Sequence, residues 1–439
     1  MSQFKESLLH LALRQRRSRL QEKEATDADR VGIDPVRVSR LEKRSSFEDD
    51  PNYQAILQKQ WFAKKMKIAS PFFLTHEGIA SATSTINGQS FINFSSYNYL
   101  DLNGDPRVAK AAKEAIDQYG MSASASRLVS GERPIHQTLE KALAQLHHVD
   151  KALVFVSGHA TNVTSIGYLF GQKDLVIHDE FIHDSVLQGA KLSGAFRMSF
   201  PHNDWQALDH LLTARRSDFE RVLLVVEGLY SMDGDYPDLP QLIAIKKRHQ
   251  AFLMVDEAHS IGVMGLRGGG IGEFFDIDAR EVDIWMGTLS KTLAGCGGYI
   301  AGSDALIEHL KYAAPGFLYS VGMSPPLAAA SLKALEIMHH EPYRIAKLNQ
   351  NAKQFFNEAK DIGLNVGFSQ GLSIVPILYG SSKRAVQVAN HLHLQGINVQ
   401  PIIYPAVPDN RARLRFFMSS AHTSEQISCT LQALAEQGK

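Results

Sequence analysis

From about residue 92 onward, short apolar runs alternate with stretches of helical periodicity. The runs ALVFV (152–156), LVI (175–177), RVLLVV (221–226), AFLMV (251–255), DIWMG (283–287) and GYIAG (298–302) are too short for helices and almost free of polar residues. They predict strands buried on both faces, because a half-solvated strand would alternate apolar with polar positions. Between most of them, stretches such as 204–214 and 238–249 predict amphipathic helices. This alternation points to an α/β fold, a mostly parallel sheet covered on both sides. After Pro325-Pro326 the pattern is helical to about residue 362; IVPILY (374–379), RLRFFM (413–418) and a closing helix then predict a smaller α+β domain. We therefore expect a charge-rich helical extension over 1–60, a large domain over 61–325 and a small C-terminal domain over 326–439. In the extension, Leu8, Leu9, Leu11 and Leu13 precede Arg14, Arg16, Arg17 and Arg19, the pattern of an amphipathic helix with a basic end. Such a helix would pack on the main body or dock an acidic carrier.

Composition narrows the function classes. The 46 Lys+Arg balance 46 Asp+Glu, so no global field recruits nucleic acid or an anionic membrane. Two cysteines, Cys296 and Cys429, make no disulfide framework and suit a reducing compartment. No apolar run approaches the roughly 18 residues of a membrane span. The N-terminus places its charges after a short apolar stretch, the wrong order for a secretory signal. A cytoplasmic protein is the expectation.

Open parallel sheets bind ligands outside the carboxyl ends of their strands. Polar clusters follow five of the predicted strands: SGHATN after 156, HDEFIHDS after 177, EGLYSMDGD after 226, DEAHS after 255 and TLSKT after 287. Lys291, in the last, is an amine delivered from a strand end into a walled pocket, where desolvation would free it to form a Schiff base. The common partner for such a lysine is pyridoxal phosphate (PLP). That cofactor needs a carboxylate to keep its ring nitrogen protonated, and Asp256 is placed for this, with His259 for the phenolic oxygen. Its phosphate needs backbone N–H groups at a loop-to-helix junction plus hydroxyls, which Ser157-Gly158-His159, Thr288 and Ser231 offer. His183 or His178 could stack on the ring. Other motifs carry less. GLRGGGIG (265–272) lacks the order of a phosphate loop and predicts a flexible loop over the site. The adjacent pairs His147-His148 and His339-His340 point to different helix faces, so no metal site is expected. No G-x-S-x-G elbow supports a serine hydrolase.

The chain from about 90 to 435 resembles the α-oxoamine synthases, a branch of the fold-type I PLP enzymes. The matching strings are NFSSYNYLDL (93–102), SRLVSG (126–131), SGHATN (157–162), EGLYSMDGD (227–235), VDEAHSIGVMG (255–265), TLSKT (288–292), YSVGMSPP (319–326) and RLRFFMSSAHT (413–423). The resemblance implies that Lys291 is the Schiff-base lysine, His183 the ring-stacking histidine, Asp256 the partner of the pyridinium nitrogen and His259 the ligand of the ring oxygen. It implies cofactor contacts from Gly158, His159, Ser231 and Thr288, and substrate contacts from Arg415, which would grip the amino-acid carboxylate, and from Asn98. It further implies a homodimer in which Ser320 reaches the partner subunit's phosphate. The implied reaction condenses a small amino acid with an acyl thioester, carried by coenzyme A or a carrier protein, normally with loss of carbon dioxide, to give an α-aminoketone. Alternatives on the same fold are an aminotransferase and a non-catalytic partner subunit, although the latter should lack the lysine. Three positions depart from the family pattern: His159 stands for the usual aromatic residue, SASASR (122–127) for GSGGSR, and Asp101 for the glycine of N-Y-L-G.

Overall fold

The computed structural model of the chain describes residues 46–65 and 69–437, so the basic amphipathic helix expected at 8–19 lies outside the described residues. The chain divides into two units, Met1–Ala69 and Ser70–Lys439. In the first, the Asp50 carboxylate accepts from the Asn52 and Tyr53 amides and opens helix α1 (Pro51–Lys65).

The second unit begins with β1 (His76–Glu77), β2 (Thr83–Ile86) and β3 (Gln89–Asn93). Asn87-Gly88, both in the left-handed region (φ 51° and 74°), join β2 to β3. That is the geometry a two-residue hairpin demands. The wound region follows as β4 (Lys151–Phe155), α2 (Gly158–Leu169), β5 (Leu175–Asp179), α3 (Asp184–Ser193), β6 (Phe196–Phe200), β7 (Val222–Glu227), β8 (Phe252–Asp256), β9 (Ile284–Thr288) and β10 (Gly298–Gly302), with further helices between. These strands form one seven-stranded sheet in the order β4-β10-β9-β8-β7-β5-β6. Only β10 runs against its neighbours, β4 and β9.

Alternate residues of one strand enter different cores. On β7, Val222, Leu224 and Val226 pack on one face of the sheet and Leu223 and Val225 on the other. Both faces are thus dry, which is why these strands read as unbroken apolar runs. The edge strand β6 was not predicted: most of its FRMSF segment is exposed, and without an apolar run it gives no signal.

The helical stretch expected to run to 362 is two helices, α4 (Pro325–His340) and α5 (Tyr343–Asp361), broken at Glu341-Pro342. Proline removes an amide and disfavours helix at the residue before it. Then come β11 (Ile374–Leu378), β12 (Ile397–Asn398), β13 (Gln400–Ile402) and β14 (Arg413–Phe417). β14 lies between β11 and β13 in an antiparallel sheet, while β12 pairs in parallel with β3. The hairpin at 83–93 is therefore hydrogen-bonded to the C-terminal part of the chain. The segment 265–272 is no loose loop. The Glu273 carboxylate accepts from the Arg267 and Gly269 amides, and buried Glu257 accepts from Ile271.

Candidate active site

The carboxyl ends of β4, β5, β7, β8 and β9 bring five polar turns to one edge of the sheet. Close approach is built into the backbone at Gly158, the first residue of α2: a Cβ there would stand 2.9 Å from Thr288 Oγ1. Ser157 caps α2 by accepting from the Ala160 amide. The Thr288 hydroxyl bonds to Ser290 Oγ at 2.8 Å and to the Gly297 carbonyl at 3.0 Å, fixing the turn that carries Lys291. The result is a helix N-terminus flanked by hydroxyls, the arrangement that binds phosphate.

Asp256 ends β8. One carboxylate oxygen accepts from Asn162 Nδ2 at 2.8 Å and the other from the Ala258 amide at 3.0 Å. Asn162 also donates to Ser185 Oγ, whose hydroxyl meets His183 Nδ1 at 2.7 Å. A single chain of contacts thus runs from Asp256 to His183, the N-cap of α3. The His183 ring is solvent-exposed, and the exposed His159 ring stands across it at 6.5 Å between centroids, nearly perpendicular.

His259 is buried and bonds through Nδ1 to the Tyr99 hydroxyl at 2.7 Å. Burial, reinforced by Lys291 and Arg415, drives its pKa well below the ordinary value, so the ring is neutral. Lys291 is lowered to about 8. Burial disfavours its charge, and Asp256 and Glu227 only partly offset that. Glu227, paired in register with Asp256 on the adjacent strand, is raised to about 8 by burial and then by Asp256. Two like charges side by side in a dry site cannot both ionise, so Glu227 keeps its proton at neutral pH.

Arg415 on β14 reaches in from the other side. Its guanidinium donates to the Ser231 carbonyl at 2.8 Å, lies 3.4 Å from the Tyr97 hydroxyl and stacks 4.6 Å from the Phe417 ring. Among the described residues, Nε is buried without a partner and no carboxylate bonds to the guanidinium. Arg413, two residues earlier, differs: it is locked in a buried ion pair with Asp233 at 2.6 Å. Lys291 Nζ lies 5.6 Å from the Tyr97 ring centroid, so Tyr97 spans the amine and the guanidinium.

Two expected residues make local contacts. Both Asn98 donor contacts go to the Ala80 carbonyl and Asp101, and its oxygen accepts from the Leu102 and Asn103 amides. The amide folds its own loop, and Asn98 lines, with Tyr97 and Lys291, a cleft of about 420 Å3. Among the described residues, the Ser320 hydroxyl donates to the adjacent Val321 carbonyl. His178, the other stacking candidate, is buried against the Asp179 carbonyl. Tyr97, Tyr99, Asn162 and Glu227 were not foreseen, although all four sit inside quoted motifs.

The departures from the family pattern keep a glycine-like backbone. Asp101 and Ser124 both take φ 55°. Asp101 is held there by hydrogen bonds from Ser81 and Asn98, a local support that lets aspartate tolerate the left-handed region.

The family model Aminotransferase class I and II matches residues 89–434. The chain is 38% identical to the 8-amino-7-oxononanoate synthase of Fervidobacterium nodosum over 83% of its own length and 93% of the relative's. It is 39% identical to that of Symbiobacterium thermophilum over 81% and 90%. Among solved structures, a serine palmitoyltransferase from Sphingomonas wittichii superposes with a TM-score of 0.85 at 26% identity, covering 90% of this chain and 98% of that one. An 8-amino-7-oxononanoate synthase from Francisella tularensis gives 0.68 at 26%, covering 79% and 98%.

Proposed function

The chain belongs to the class I and II aminotransferase family, within its α-oxoamine synthase branch, and from that premise we propose how its own residues run the reaction. It is a PLP-dependent acyltransferase that condenses an amino acid with an acyl thioester. PLP, when bound, supplies the electron sink that makes the amino acid's Cα–H acidic.

The residues fit that cofactor. The α2 N-terminus with Ser157, Gly158 and Thr288 would hold the phosphate, and the His159 and Ser231 backbone would line the pocket. Asp256, aimed by the Asn162 amide, would face the ring nitrogen and favour its protonated form. His183, braced by Ser185, would cover one ring face. With the Tyr99 hydroxyl donating to Nδ1, neutral His259 carries its hydrogen on Nε2, as a donor to the ring oxygen.

Arg415 then takes the amino-acid carboxylate, and its unpaired Nε and loosely held Nη2 are the donors for a two-point grip. This is the observation that carries the reading: a half-buried guanidinium, with no carboxylate partner among the described residues, stands near a lysine whose pKa is lowered to about 8. Lys291 Nζ takes the Cα proton. The carbon left electron-rich attacks the thioester carbonyl, the thiol leaves, and carbon dioxide is lost from the carboxylate. A pKa near the working pH lets one amine accept that proton and return it.

We read residues 61–325 as the cofactor domain and 326–439 as the small domain that supplies Arg415. We read the working unit as a homodimer, with Ser320 completing the partner subunit's phosphate site. Exposed Tyr319 and Val321 beside it supply apolar surface for that contact. A carrier protein as acyl donor stays a proposal alongside coenzyme A.

The test is thiol release. Purified enzyme with PLP should release thiol from an acyl thioester only when an amino acid is present; glycine, alanine and serine are the first to try. Amino transfer to a keto acid with no thiol released would replace this reading with an aminotransferase.

A further inference from the structure

Glu227 is a buried carboxyl that the steps above leave unused, and it stands where three of the working groups meet. It pairs in register with Asp256 across adjacent parallel strands, and both side chains are buried. The titratable groups that act on it are Asp256 on β8, Asp179 on β5, Lys291 after β9, Arg415 on β14 and Tyr230 in its own turn.

Two hydrogen bonds join Glu227 to Arg415 through a single residue. Glu227 Oε2 accepts from the Ser231 amide at 3.0 Å, and the Ser231 carbonyl accepts from Arg415 Nη1 at 2.8 Å. The other oxygen, Oε1, is buried with no partner among the described residues. An ionised carboxylate so placed would leave one oxygen unsolvated and set a second negative charge beside Asp256, and both are costly. Burial and then Asp256 accordingly push its pKa up to about 8, and the proton belongs on Oε1, the oxygen that Ser231 does not use. The state of that proton matters to Arg415. A neutral acid leaves the guanidinium its full charge, whereas an ionised one partly cancels that charge and repels any carboxylate brought to it.

We propose that Glu227 is a positioning residue for the amino-acid carboxylate: protonated, it steadies the Arg415 guanidinium through Ser231 and leaves that guanidinium's charge to the substrate. This role rests on Arg415 as the carboxylate grip, as proposed above. The sign follows from linkage. A carboxylate bound at Arg415 adds negative charge near Glu227 and makes it hold its proton more tightly, so binding takes up a proton wherever the free enzyme has lost it. Carboxylate affinity should therefore be level below about pH 8 and fall by up to about tenfold per pH unit above it.

The experiment titrates the PLP-loaded enzyme with alanine by its visible absorption, from about pH 6.5 to about pH 9.5, alone and with propanoate as competitor. Propanoate carries the carboxylate without an amine, so its own charge is constant over that range. Its inhibition constant should stay level to about pH 8 and then weaken about tenfold per unit. Glu227→Gln keeps an oxygen for the Ser231 amide and cannot ionise, so its profile should stay level throughout. A level profile in the unmodified enzyme would overturn the proposal without recourse to the variant. A bend of equal size in Glu227→Gln would overturn it as well, by giving the titration to Lys291 or another group. No spectral response to alanine, glycine or serine at any pH would bring down the amino-acid reading itself, and this role with it.

Discussion

In the proposed reaction two side chains carry most of the chemistry, and each owes its character to what surrounds it. Lys291, lowered from 10.5 to about 8, holds roughly 300 times more neutral amine at pH 7 than an ordinary lysine. Capture of PLP by the apoenzyme should therefore speed up as pH rises toward 8 and level off above it. Stopped-flow absorbance would show this, and a rate still climbing toward pH 10 would mean the amine is not desolvated. Arg415 makes a different demand, since a planar fork differs from a point charge. Arg415→Lys should keep PLP bound but weaken amino-acid binding by about 2 kcal/mol, or roughly 30-fold, in a spectral titration. Unchanged affinity would remove Arg415 from the carboxylate site. The sequence made both residues legible through their motifs. Tyr97 lies in a matched string, but its role has no signature until Lys291 and Arg415 are folded against it.

At the level of elements, the site depends on strand ends approaching more closely than side chains allow. Gly158→Ala would press a Cβ against Thr288 Oγ1 and force the α2 N-terminus away from β9. PLP affinity should drop about tenfold, with about 1 kcal/mol of strain at the turn. Equilibrium dialysis checks this, and unaltered affinity would show that the junction does not hold the phosphate. The buried strands β4, β5 and β7–β10 were readable because burial on both faces writes itself as an unbroken apolar run. Exposed β6 left no such trace. The β2–β3 hairpin does carry one, Asn87-Gly88 between alternating residues, but it precedes the run of buried strands that dominates the pattern from residue 92. The antiparallel course of β10 has no sequence mark, since buried parallel and antiparallel strands share a composition.

Across the molecule, the sheet edge is tied together by a charged histidine. His202 is fully paired, with Asp179 at 2.8 Å on Nδ1 and Asp235 at 2.8 Å on Nε2. Burial opposes its charge, but the two carboxylates outweigh burial and raise its pKa to about 10. Because the folded value exceeds the unfolded 6.5, the stabilisation is complete below pH 6.5 and is lost as pH rises through about 10. His202→Gln, which strands two buried carboxylates, should cost about 3–5 kcal/mol in urea unfolding at pH 6. The gap should shrink above pH 10. Parallel stability curves for the two proteins would mean His202 is neutral when folded. Among the described residues no helix is long and apolar enough to cross a membrane.

The account stands on Lys291 as the residue that holds PLP. The most direct measurement is the visible absorption of PLP-loaded protein, followed by borohydride reduction and mass analysis of the peptide that keeps the cofactor. The predicted result is a band near the visible edge, reduction that fixes the cofactor mass on the peptide containing Lys291, and no band in Lys291→Ala. A band that survives in Lys291→Ala, or cofactor fixed on another lysine, would contradict it.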